Sequence, residues 1–212
     1  MPYSPHNKTE IVNMALAHLG NGEISDFDTQ ASESARQARL HFNLTRDSML
    51  RTHAWNFSIK RTSLALDPTT PASGYDNAFL LPTNFLRIIT LNDSDAWETS
   101  DLFAIESGLL LTSEDSAIIT YVASIEDTTE WDPLFIEAFS YILASKMASK
   151  LAEAPGMAQA LNQRGNFIVG EAMKIDANEN RKADPSRASN SLFVNSRGRG
   201  ISGRPDLRFR DV

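Results

Sequence analysis

The side chains with most chemistry to offer are His18, His41 and His53 and three groups of neighbouring carboxylates, Glu114–Asp115, Glu126–Asp127 and Glu130–Asp132. Three imidazoles could hold a divalent metal. Such sites place ligands three to five residues apart, or use H-E-x-x-H on one helix face, and neither spacing occurs here. His18 and His53 instead fall in the last turns of predicted helices, where an imidazole is expected to cap carbonyls or meet the helix dipole. Paired carboxylates could supply the acid and base of glycoside cleavage. All three groups lie in predicted turns beside strand or helix ends, where solvated carboxylates are commonplace. The chain has no cysteine, which removes thiolate chemistry and disulfides together. There is no G-x-S-x-G, no phosphate-binding glycine loop and no dinucleotide fingerprint. The expectation is a protein without catalytic residues, cofactor or metal, and not an enzyme.

The elements around these residues have clear periodicities. Asn7 and Glu10 have the spacing of a capping box, so a first helix is predicted over about 8–20, ending at Gly20 with Ile11, Met14 and Ala15 inward. A second, about 31–53, carries Ala35, Ala38, Phe42, Thr45 and Met49 at three- and four-residue spacing, with Leu40 and Leu44 widening the stripe. Asp132 and Pro133 open a third, about 132–153, apolar nearly all round and so expected to be surrounded. The fourth, about 156–179, aligns Leu161, Gly165, Ile168, Ala172 and Ile175, with Gly165 and Gly170 marking close contacts.

Between the second and third helices the period changes. In "LRTHAWNFSIKR" the helical spacing ends at His53, and Trp55, Phe57 and Ile59 then alternate with polar residues as in a half-buried strand. No glycine or proline intervenes, which predicts a direct helix-to-sheet joint at Ala54–Trp55 with Trp55 and Phe57 filling it. "WNFSIKRTSLAL", "FLRIITLND", "GLLLT" and "AIITYVA" read as strands of an antiparallel region over 55–124, with a protruding hairpin inside 92–116. The predicted fold is α+β: a four-helix bundle with an antiparallel sheet inserted between helices 2 and 3, forming a body over 1–180, plus an extended C-terminal arm over 181–212.

Charge divides the chain at the same place. The net charge is −7, yet residues 181–212 hold eight Lys or Arg against three Asp, leaving the body strongly acidic. Twelve of the arm's 32 residues are Gly, Pro, Ser or Asn, a composition that cannot bury enough apolar surface to offset chain entropy. Leu192, Phe193, Arg197, Arg199, Arg204, Arg208, Phe209 and Arg210 are therefore predicted to dock on a partner or a neighbouring copy. The 42% hydrophobic content supports a folded body. Apolar runs are too short to span a bilayer and Met1–Lys8 has no apolar core of a signal peptide, so a soluble, unexported chain with no membrane partner is expected.

Several stretches, in order, resemble the tail tubular protein A family, the head-to-tail adaptor of short-tailed phages. These are "EIVNMALAHLG", "ARLHFNLTRDSMLRTHAWNFSIKRTSLA" and "GYDNAFLLPTNFLRIITLN". The most specific part is "RDSMLRTHAWNF" followed by "GYDNAFLLPTNFLRI"; nothing after about Asn180 matches. The resemblance implies a virion protein made in the host cytoplasm, a homo-oligomeric ring of about twelve copies clamped between the portal protein and the tail nozzle or tail tube. Genomic DNA would pass through the bore without sequence-specific binding, and an acidic bore would repel its phosphates. The alternative from another class is a small DNA-binding or regulatory helical module whose basic arm tracks the duplex.

Overall fold

The computed structural model describes residues 6–68, 71, 74–95, 102–152, 154 and 156–179. Helix α1 (Lys8–His18) begins where the sequence places a cap: Asn7 accepts the Glu10 N–H while Glu10 accepts the Asn7 N–H. Helix α2 (Glu33–Thr52) is capped by Ser32 and buries Ala35, Ala38, Phe42, Thr45 and Met49. Leu40 and Leu44 do not widen that stripe; they are 68% and 65% exposed. Helix α3 (Pro133–Leu151) starts at Asp132, whose carboxylate accepts the Leu134 and Phe135 N–H groups. It is buried on most sides and packs against both α1 and α2. Helix α4 (Met157–Glu179) follows a turn at Gly156, where φ is +86°.

The strands form two antiparallel sheets. In the first, β1 (Ile59–Ser63) and β3 (Phe85–Leu91) flank β7 (Ile118–Ala123), and the short β4 (Ser94–Asp95) lies outside β3. In the second, β6 (Leu109–Thr112) is flanked by β2 (Asn77–Leu80) and β5 (Phe103–Glu106). Positive φ at Asn92, Asp93, Ser107 and Gly108 closes the β3–β4 and β5–β6 turns tightly. The β5–β6 pair falls within the span expected to protrude. It does not stand alone, because β6 also pairs with β2, and Phe79 and Leu110 enter the main core.

A four-helix bundle with one inserted sheet is therefore not the fold. The strands between α2 and α3 form two antiparallel sheets, and α4 buries Gly165, Ile168 and Ala172 while leaving Phe167 and Ile175 61% and 49% exposed. Burial in α2 is likewise one stripe. The core lies between α1, α2 and α3 on one side and the first sheet on the other, centred on a run of rings. Phe42 meets Phe27, Phe139 and Trp131, while Phe135 meets Trp131, Trp55 and Phe57, at centroid distances of 5.0–6.0 Å. Both buried indoles are satisfied, Trp55 Nε1 by the Met49 carbonyl and Trp131 Nε1 by that of Ile125, each at 3.1 Å.

Candidate assembly surface and helix–sheet joint

The joint between α2 and the first sheet is built differently from a strand running on from a helix. Trp55 is buried and Phe57 packs beside it on Phe135, but Asn56–Ser58 form a 3-10 turn and β1 starts only at Ile59. The reason lies 120 residues away. Asp176 of α4 accepts the Asn56 N–H at 2.9 Å and pairs with His53 Nε2 at 2.8 Å, while Asn56 Nδ2 donates to the Asp176 carbonyl. Ser58 closes the turn onto the Trp55 carbonyl with both its N–H and its hydroxyl. With Asn56 committed to α4, the ladder cannot begin before Ile59.

The stretches "RDSMLRTHAWNF" and "GYDNAFLLPTNFLRI" meet here. Arg51, near the end of α2, donates to the Leu86 carbonyl of β3. Asp47 accepts the Ser124 hydroxyl at 2.6 Å, and the Ser124 N–H donates to the Asn84 carbonyl at 2.7 Å. Arg46, 4% exposed, is held by Asp47 and Asn43. A buried guanidinium needs this pairing, since its desolvation is otherwise uncompensated. One side chain of "RDSMLRTHAWNF", Arg51, thus bonds backbone of "GYDNAFLLPTNFLRI" directly, and a second, Asp47, reaches it through Ser124. Both Trp55 and Phe57 belong to this joint.

His18 stands in the last turn of α1, as expected, and its ring also reaches α3: its Nε2 lies 3.1 Å from Ser140 Oγ and the ring stacks on Tyr141 at 3.8 Å. His53 likewise reaches across to Asp176 rather than to its own helix. Among the described residues no group of three or more His, Asp or Glu could hold a metal. The carboxylate groups are turn and cap residues. Asp127 accepts the Thr129 hydroxyl and N–H, which hold its carboxyl below the ordinary value. Asp132 caps α3, and Glu130 closes a short 3-10 turn, Thr128–Glu130.

Burial lowers the pKa of His18, opposed in part by the negative charge of Glu137. The folded state therefore favours the neutral ring, while the unfolded chain protonates near the ordinary value of 6.5. Stability from this residue is complete above that value and is lost as pH falls through the depressed folded value. Glu137 and Tyr141 of α3 and His6 face the same space. Denaturant midpoints measured from pH 7.5 to 5 should fall less steeply in His18→Gln than in the wild type; parallel curves would show that His18 does not titrate differently on folding.

Two features had no sequence signal. One is the Asp176 latch, whose partners lie far apart in the chain. The other is a cavity of about 290 Å³ between α1 and α3, lined by His6, Met14, His18, Ile136, Glu137 and Tyr141 among others. Beside it, past the first residue of α1, an open cleft carries Asp26, Asp28, Glu126 and Asp127 against Lys8. Leu192, Phe193, Arg197, Arg199, Arg204, Arg208, Phe209 and Arg210 lie outside the described residues. No described helix is long and apolar enough to cross a membrane. Neither protein-family models nor curated proteins yield a match to this chain, so its own residues carry the functional reading.

Proposed function

We propose that the chain is a structural virion protein, a ring-forming head-to-tail adaptor joining portal to tail nozzle and surrounding the DNA passage. The observation that carries the proposal is the meeting of the two resembling stretches at one helix–sheet boundary, through Arg51–Leu86 and Asp47–Ser124–Asn84. An adaptor must hold a ring-packing helical part and a downstream strand part in fixed orientation. Leu40, Leu44, Phe167 and Ile175 give the outer helices large, mostly exposed apolar residues, as side-by-side subunits require. The basic arm is a docking segment in this reading.

The arm alone would also serve a DNA-binding module. The test that separates the two is electron microscopy and native mass measurement of the protein mixed with its portal. Rings with a central hole, carrying about as many adaptors as portal subunits, are expected. A compact dimer that ignores the portal and shifts DNA in a salt-sensitive manner would overturn the adaptor reading in favour of the module.

A further inference from the structure

The cavity and the cleft at the start of α1 form one composite surface. On one side of His6 and Asn7 lies the apolar cavity, walled by Met14, Ile136 and the stacked His18 and Tyr141 rings, with Glu137 exposed at its rim. On the other lies the cleft, where four carboxylates face one lysine. The two adjoin because Thr128 of the cleft wall donates to the His6 carbonyl at 2.8 Å. An apolar hole beside an acidic trough suits an extended peptide whose apolar and cationic side chains alternate.

This chain contains such a segment. Leu207, Arg208, Phe209 and Arg210 alternate apolar and basic residues, and in an extended strand Leu207 and Phe209 point one way and the two arginines the other. Leu192 and Phe193, the other apolar pair of the arm, have no adjacent arginine. We propose that the composite surface receives Leu207–Arg210 from a second copy of the chain, Phe209 entering the cavity and Arg208 and Arg210 facing the carboxylates. The proposal rests on the adaptor reading for the presence of a neighbour. Chain length allows it: about 30 residues separate Glu179 from Phe209, on the order of 100 Å when extended. Return to the same body needs far less, since a domain of this size has a radius of gyration of roughly 16 Å. Charge complementarity comes from the basic arm as a whole and, within the segment, from Arg208 and Arg210, which stand between Asp206 and Asp211.

The test uses the full chain with a photoreactive benzoylphenylalanine in place of Phe209, mixed with isotopically labelled chain lacking the probe and assembled on its portal. Irradiation is expected to link position 209 to labelled peptides containing Met14 or Ile136. Glu126→Lys combined with Glu137→Lys in the labelled chain should lower the yield about tenfold at low salt and less at high salt, where the charges are screened. Ala17→Trp, which fills the cavity from its exposed wall, should lower it at every salt concentration. Links within one chain, links to other surfaces, or yields unchanged in both variants would overturn the proposal. Rings whose arms link elsewhere would leave the adaptor reading standing without this contact. Chains linked as proposed but never forming rings would leave the contact and remove the adaptor.

Discussion

Trp55→Ala should destabilise the chain by about 3–5 kcal/mol, a large part of the 5–15 kcal/mol typical of a whole domain. The indole is 1% exposed and stands in edge-to-face contact with His53 and Phe135, at 5.0 and 5.1 Å. Its removal leaves a space walled by α2, α3 and the 3-10 turn, and the end of α2 and the turn are held in place by the Asp176 pairing of His53 and Asn56. The lost hydrogen bond is the smaller part, because the Met49 carbonyl that accepts the indole N–H also accepts the Thr52 hydroxyl at 2.7 Å. Trp55→Phe, which keeps a ring and drops the N–H, should therefore cost only about 1–2 kcal/mol. Urea unfolding of the two variants measures both. Equal losses would place the energy in the hydrogen bond instead of the packing, and no loss would show that the joint does not depend on Trp55.

Local chemistry near helix starts was legible in the sequence, and so was the position of the joint. Asn7–Glu10 and Asp132–Pro133 specify their caps with neighbours only three residues away, so nothing distant can redirect them. Ala35, Ala38, Phe42, Thr45 and Met49 identify the inner face of α2 for the same reason. What periodicity cannot give is the width of that face. Leu40 and Leu44 have the spacing to widen it, yet α3 and the sheet cover only one side, and the leucines remain in solvent. Trp55, Phe57 and Ile59 alternate as a strand does, but Asp176 takes the Asn56 N–H and the segment becomes a turn. The second sheet was hidden because β2, Asn77–Leu80, is a four-residue strand whose place is fixed by pairing with the distant β6. His18 and His53 sit at helix ends as their sequence positions indicate, but their partners belong to α3 and α4.

The two glycines of α4 should respond to substitution with opposite signs. A Cβ on Gly165 would fall 2.6 Å from Ile142 Cδ1, 2.9 Å from Cγ1 and 3.2 Å from the Ile142 amide nitrogen. The terminal methyl can rotate away, but the nitrogen belongs to the buried helix α3 and cannot. Gly165→Leu should force α4 off α3 and cost about 2–3 kcal/mol, overpacking outweighing the gain of roughly 1 kcal/mol from replacing a helical glycine. Gly170 is different: beyond its own stretch of helix backbone, nothing lies within 4 Å of the position its Cβ would take. Gly170→Ala should stabilise the chain by about 0.5–1 kcal/mol, because the unfolded state loses freedom and the folded state meets no obstacle. Thermal and denaturant unfolding of both variants tests the signs directly. A helix-weakening glycine whose Cβ position is open, one turn beyond the exposed Phe167, suits a neighbouring chain approaching closely. In the adaptor reading Gly170→Ala should therefore raise the stability of the free subunit while reducing the fraction that joins rings on portals. If assembly is undiminished, α4 does not face a neighbour at Gly170 in that reading.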